Sequence, residues 1–188
     1  MDLAGLAWFS ASGFRSADRK GKGMNIFGIV GWSGSGKTEL VIRLIPELIA
    51  RGFSVSSMKH THHGFDIDRP GKDSYRHREA GAKEVMVTSS VRWALLHELQ
   101  GDPEHDMEDL IARMAPVDIL LIEGFKSHKH PKLEVFRADV GKSLLAREDD
   151  TVIAVASDAA SLDGISVPLF DLDDIKAIAD FVQDYLKL

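Results

Sequence analysis

The sequence has no cysteine. That excludes disulfides and thiolate metal sites, and it suits a reducing cytosol. No apolar run reaches the roughly 20 residues needed to span a membrane. Positive charge is not in excess either. The net charge of -6 argues against a general nucleic-acid binder, which is ordinarily basic. There is no internal repeat. What remains is an ordinary globular balance: 188 residues, 44% hydrophobic and 28% charged. Such a chain can form one domain with a sizeable core.

The first 23 residues differ from the rest. "MDLAGLAWFSASGFRSADRKGKG" has an apolar start and a basic, glycine-containing end. A secretory signal carries its positive charge first, so the order here is reversed. Residues 1–23 are expected to be a disordered or poorly packed extension, and residues 24–188 the folded domain.

Within that domain, apolar runs alternate with amphipathic ones. "NIFGIVG" and "VDILLIEG" are short and apolar throughout, as strands buried on both faces are. "FSVSSMK", "EVMVTS", "WALLHEL", "LEVFRA", "TVIAVASD" and "VPLF" read as further strands. A helix is predicted over residues 37–50, with Leu40, Val41, Leu44, Leu48 and Ile49 on its apolar face, Pro46 inside it and Gly52 as its stop. Asp73 is the expected cap of a short helix that Gly81 ends. "PEHDMEDLIARMA" predicts a helix with Met107, Leu110, Ile111 and Met114 on one side. The last helix carries Ile175, Ile178, Ala179, Val182 and Leu186 on one face. Asp171, Asp173 and Asp174 lie at its N-terminal end, where negative charge is favoured. The alternation predicts an α/β fold of three layers, with a mainly parallel, partly mixed sheet covered on both faces.

The chemistry gathers at strand ends. Gly31, Trp32, Ser33, Gly34, Ser35, Gly36, Lys37 and Thr38 match G-x-x-x-x-G-K-[ST] in full, between a buried strand and a helix. The glycines let the backbone turn its N–H groups inward as an anion nest, and the following helix adds its positive end. Lys37 can reach the outer phosphates, and Thr38 can offer its hydroxyl to Mg2+. A metal shell needs an acid from a neighbouring strand. Glu123 closes the apolar run "DILLIE" and so belongs at the ligand edge, whereas Asp118 opens it and is read as structural.

"KHTHHGFDID" follows the second strand and belongs at the same edge. Lys59 is singled out as a strand-end cation beside the loop, with His60 and His62 as further candidates for phosphate or partner contact. The same histidines are candidates for Zn or Ni, or for a solvated loop. The basic run from Arg69 to Arg78 reads as a solvated helix face or as a rim for a phosphate-bearing ligand. Lys126, just past Glu123, is a candidate for the opposing rim.

Six stretches, in order, make the chain resemble the MobB family of molybdopterin-guanine dinucleotide biosynthesis adaptors: "WSGSGKTEL", "LIPELIARG", "KHTHHGFDIDRPGKDSYRHREAGA", "RWALLHE", "DILLIEGFK" and "VIAVASD". The phosphate loop alone is shared by many families; the second, third and fifth stretches make the resemblance specific. It covers about residues 24–188. The resemblance implies a P-loop fold, a homodimer, GTP with Mg2+ as ligand, and weak GTP hydrolysis. It also implies a role beside the guanylyltransferase MobA, which joins GMP from GTP to molybdopterin. Carried over by position, the nucleotide loop is Gly31 to Thr38 and the acid is Glu123. No N-K-x-D sequence is present to read guanine. Asp158, at the end of "VIAVASD", is the candidate replacement, because a carboxylate accepts both N1–H and N2–H2 of guanine. No catalytic residue is assigned, and slow or partner-stimulated turnover is expected.

Two other functions compete. One is a metallochaperone GTPase of the nickel-insertion type, motivated by the histidines. The other is a small-molecule P-loop kinase, which would turn over at about 1–100 per second with its acceptor.

Overall fold

The computed structural model describes residues 24–61 and 64–188. The expected extension over 1–23, together with His62 and His63, lies outside the described residues. Among the described residues, eight strands and four α-helices follow in chain order: β1 (Asn25–Val30), α1 (Lys37–Ala50), β2 (Val55–Lys59), α2 (Asp73–Glu79), β3 (Glu84–Thr88), β4 (Trp93–His97), α3 (Met107–Ala112), β5 (Ile119–Glu123), β6 (Lys132–Phe136), β7 (Val152–Ser157), β8 (Leu169–Asp171) and α4 (Ile175–Leu186).

Six strands form one sheet in the order β2-β5-β1-β6-β7-β8, and every pairing within it is parallel. The antiparallel component is a separate hairpin of β3 and β4. Parallel pairing puts all six C-terminal strand ends on one edge. The chain leaves β1 for β2 on one side and later reaches β6 on the other, so the loop after β1 opens where the strand order reverses. Ligands of open α/β sheets bind at such a point.

The core has two halves, and strand periodicity divides them. Ile119 and Leu121 of β5 face α1 and α4, while Leu120 and Ile122 face α3. All five residues of β5 are buried, which explains its uninterrupted apolar run. Leu40, Val41, Leu44 and Leu48 of α1 and Ile178, Ala179 and Val182 of α4 close one face. Met107, Leu110, Ile111 and Met114 cover the other.

Details depart from expectation. Ile49 is 52% exposed and does not belong to the apolar face of α1, whose stripe is narrower than the spacing suggested. Helix α1 runs through Pro46 and ends before Gly52, where Phe53 N–H bonds back to the Leu48 carbonyl. Asp73 is the first helical residue of α2 and not its cap; Lys72 holds that position in extended backbone, without a side-chain bond to the helix. Asp106 caps α3 from its side chain, and Asp174 does the same for α4.

Candidate nucleotide-binding site

The loop of residues 31–36 joins β1 to α1 with positive φ at Gly31, Gly34 and Gly36. Gly31 is the tightest point. At φ 144°, a Cβ there would lie 2.4 Å from the Val135 carbonyl oxygen of β6. Only glycine fits, so the neighbouring strand itself fixes the loop's entry. Gly36 occupies the N-cap of α1 at φ 99°, a left-handed conformation that favours glycine.

Four residues from three elements meet at this mouth. The Thr38 hydroxyl donates to Glu123 Oε1 at 2.9 Å. Lys59 Nζ lies 3.1 Å from the same oxygen and donates to Thr38 Oγ1 at 3.3 Å. Register explains the meeting, since Lys59 and Glu123 are paired at the ends of β2 and β5, and Glu123 faces Ile29 of β1. The Lys37 ammonium donates to the Trp32 carbonyl at 2.9 Å, folded back over the loop. Burial holds its pKa below the usual lysine value; Glu123 pulls the other way, and Lys126 and Lys59 push it down further. An anion arriving in the loop would favour the charged form and relieve that strain.

Trp32 covers one flank. It is half-buried, its indole N–H donates to the Ser143 carbonyl at 2.8 Å, and Lys126 Nζ sits 4.1 Å from the ring centre with Lys142 at 5.8 Å. It therefore belongs to the rim and not to the core. Lys126 reaches it because Gly124 and Phe125 both take positive φ, turning the chain sharply after Glu123. Phe125 is buried between the rings of His60 and His128 and anchors the turn.

Of the remaining expected site residues, His60 bonds Glu104 at 2.8 Å and stands beside the loop mouth, not in it. Among the described residues, no group of three or more histidines and carboxylates is arranged to hold a metal. The basic run divides: Arg78 is spent on Asp66, Asp68 and Glu98, tying the loop after β2 to α2 and the hairpin. Asp118 sits at the opposite edge and accepts from Ser54 N–H and Oγ, a structural role. Asp158 follows β7 and lines a cleft of about 290 Å³ with Ala160, Leu169 and Asp171.

Arg137 was missed. It directly follows β6, donates from Nε to the Ser35 carbonyl at 3.2 Å and from Nη1 to Asp158 Oδ2 at 2.8 Å. It is thus a bridge between the glycine loop and the Asp158 cleft. The strand-end rule that selected Glu123 and Asp158 applies equally to it. Glu134 was missed as well. Fully buried, it accepts from the N–H groups of Leu145 and Ala146, each at 2.9 Å, and holds the segment whose Ser143 receives Trp32. Burial raises its pKa, the largest influence, against the two backbone bonds.

Fold and site together define an α/β protein with a glycine-rich loop at the switch point of a parallel sheet. The family model described as "Molybdopterin guanine dinucleotide synthesis protein B" matches residues 26–158. The chain belongs to the MobB family. It is 44% identical over 161 residues to a molybdopterin-guanine dinucleotide biosynthesis adapter protein of Escherichia coli (strain K12), covering 83% of this chain and 90% of that one. It is 40% identical over 164 residues to the adapter protein of Haemophilus influenzae, covering 86% and 89%. Among solved structures, Bacillus subtilis MobB superposes with a TM-score of 0.67 at 26% identity, over 86% of this chain and 97% of that one. A molybdopterin-guanine biosynthesis protein B structure gives 0.65 at 25% identity, over 85% and 99%.

Proposed function

We propose that this chain is a GTP-binding adaptor in molybdopterin guanine dinucleotide synthesis, working in the cytoplasm beside the guanylyltransferase MobA. The observation that carries the reading is the meeting of Lys37, Thr38, Glu123 and Lys59 at the mouth of the glycine loop. The loop's N–H groups and Lys37 hold the phosphates. Thr38 and Glu123 offer adjacent hard oxygens, the donor type magnesium prefers, and they would hold Mg2+, which neutralises phosphate charge. Asp158 reads the guanine edge, with Arg137 holding its carboxylate in place. GTP hydrolysis is slow, and occupancy of the loop matters more than turnover.

The protein works as a homodimer. The β3–β4 hairpin supports this: Met86 is 61% exposed, Trp93 67% and Val91 81%. An apolar two-stranded ribbon of this kind is marginal alone, and a second copy would cover it. Among the described residues no helix is long and apolar enough to cross a membrane.

The test is reconstitution of dinucleotide cofactor formation with and without this chain. Stimulation that disappears with Lys37→Ala is the expected result. Stimulation that survives the substitution means the loop is not needed for the adaptor's task.

A further inference from the structure

Lys59 is placed unusually for a phosphate-binding lysine. Its ammonium rests on the two oxygens that would hold the metal, 3.1 Å from Glu123 Oε1 and 3.3 Å from Thr38 Oγ1. The proton arrangement is consistent. The Thr38 hydroxyl donates to Glu123 and accepts from Lys59, so one oxygen pair is bridged by one cation. Glu123 is largely buried, at 11% side-chain exposure, whereas Lys59 is 58% exposed. The carboxylate is therefore fixed, and the long lysine stem is free to swing out.

We propose that Lys59 is a tethered monovalent counter-ion of the metal position, which neutralises Glu123 when magnesium is absent and yields when it arrives. This rests on the nucleotide reading given above. Two consequences follow from electrostatics. Without metal, an unpaired Glu123 would repel a triphosphate at the loop mouth; with Lys59 beside it, that repulsion is cancelled. With metal, the ammonium and the divalent ion repel each other, so the magnesium demand of the unsubstituted protein is raised. A lysine that merely contacts phosphate would strengthen binding under both conditions alike.

The experiment measures GTP affinity by isothermal titration calorimetry, in magnesium and in chelator, for the unsubstituted protein and for Lys59→Met. Removing the tethered charge should weaken metal-free binding by about tenfold or more while leaving binding at saturating magnesium nearly unchanged. The magnesium concentration giving half-maximal effect should fall several-fold. Lys59→Gln should behave as Lys59→Met does, and Lys59→Arg should restore metal-free binding. Equal weakening with and without magnesium, or no change in either, overturns this proposal and leaves the nucleotide reading standing. Failure of the unsubstituted protein to bind GTP at any magnesium concentration overturns that reading, and this proposal with it.

Discussion

Acid should unfold this protein partly through His130. The imidazole is 7% exposed, and neither ring nitrogen has a hydrogen-bond partner among the described residues. It is wedged against Gly28 of β1, where a Cβ would lie 2.5 Å from Nε2. Burial is the main reason its pKa falls from the ordinary 6.5 to about 4; Lys132 and His128 lower it further, and Asp149 and Glu108 oppose them. The folded state thus refuses a proton that the unfolded chain accepts. Stability from this residue is fully present above pH 6.5 and is lost as pH falls toward 4, where the loss levels off. The whole shift corresponds to about 3 kcal/mol, of which about 2 kcal/mol is lost by pH 5. That is a large share of a stability of about 5–15 kcal/mol. Carboxylates titrate in the same range, so the comparison is with His130→Gln, which keeps the volume and cannot take a proton. Urea unfolding at pH 7, 6 and 5 should show the unsubstituted protein losing about 2 kcal/mol more than the variant between pH 7 and pH 5. Parallel losses would show that His130 does not drive the acid sensitivity.

Other outcomes follow from single contacts. Gly31→Ala forces a Cβ onto the Val135 carbonyl at a φ that other residues rarely adopt; it should cost about 2–5 kcal/mol, and a melting temperature within about 1 °C of the original would contradict this. Glu134→Gln replaces one of the two accepting oxygens with an NH2 that faces a backbone N–H, and should cost about 2 kcal/mol, with faster amide exchange at Leu145 or Ala146 as the local signature. Asp158→Asn should weaken GTP binding and leave ATP binding near its former level; equal loss for both nucleotides would remove Asp158 as the guanine reader.

Much of the fold was legible because its central strands are buried on both faces. Their residues must be apolar whatever side they point to, and β5 shows the pattern without interruption. The glycine loop was legible for the opposite reason: its backbone geometry tolerates few side chains, as Gly31 against Val135 makes plain. Strand β6 deceived. "KLEVF" alternates polar and apolar residues like a strand with one wet face, yet Lys132 and Glu134 are both buried. Partners supplied from residues 126 and 145–151 make this possible. Lys132 Nζ donates to the Lys126 carbonyl, Asp149 and Thr151, each at 2.8 Å, so all three of its hydrogens are used. No local pattern announces such partners, because the groups that provide them lie 6 to 19 residues away in sequence. The exposure of the hairpin was not legible either: "WALLH" reads as a strand, and nothing in it tells that much of its apolar surface faces outward. Lys59 fell between these cases: its strand-end position marked it, while its seat on Thr38 and Glu123 depends on the β2–β5 register.

The claim that the loop holds a guanine nucleotide is tested most directly by calorimetric titration of GTP into the unsubstituted protein and into Lys37→Ala, in magnesium, with ATP as the comparison. Lys37 lies over the loop with its charge disfavoured by burial, so phosphate binding should depend on it strongly. Saturable GTP binding is expected, tighter than that of ATP and weakened by about a hundredfold or more in the variant. GTP binding of equal strength in both proteins, or none in the unsubstituted one, would contradict that claim.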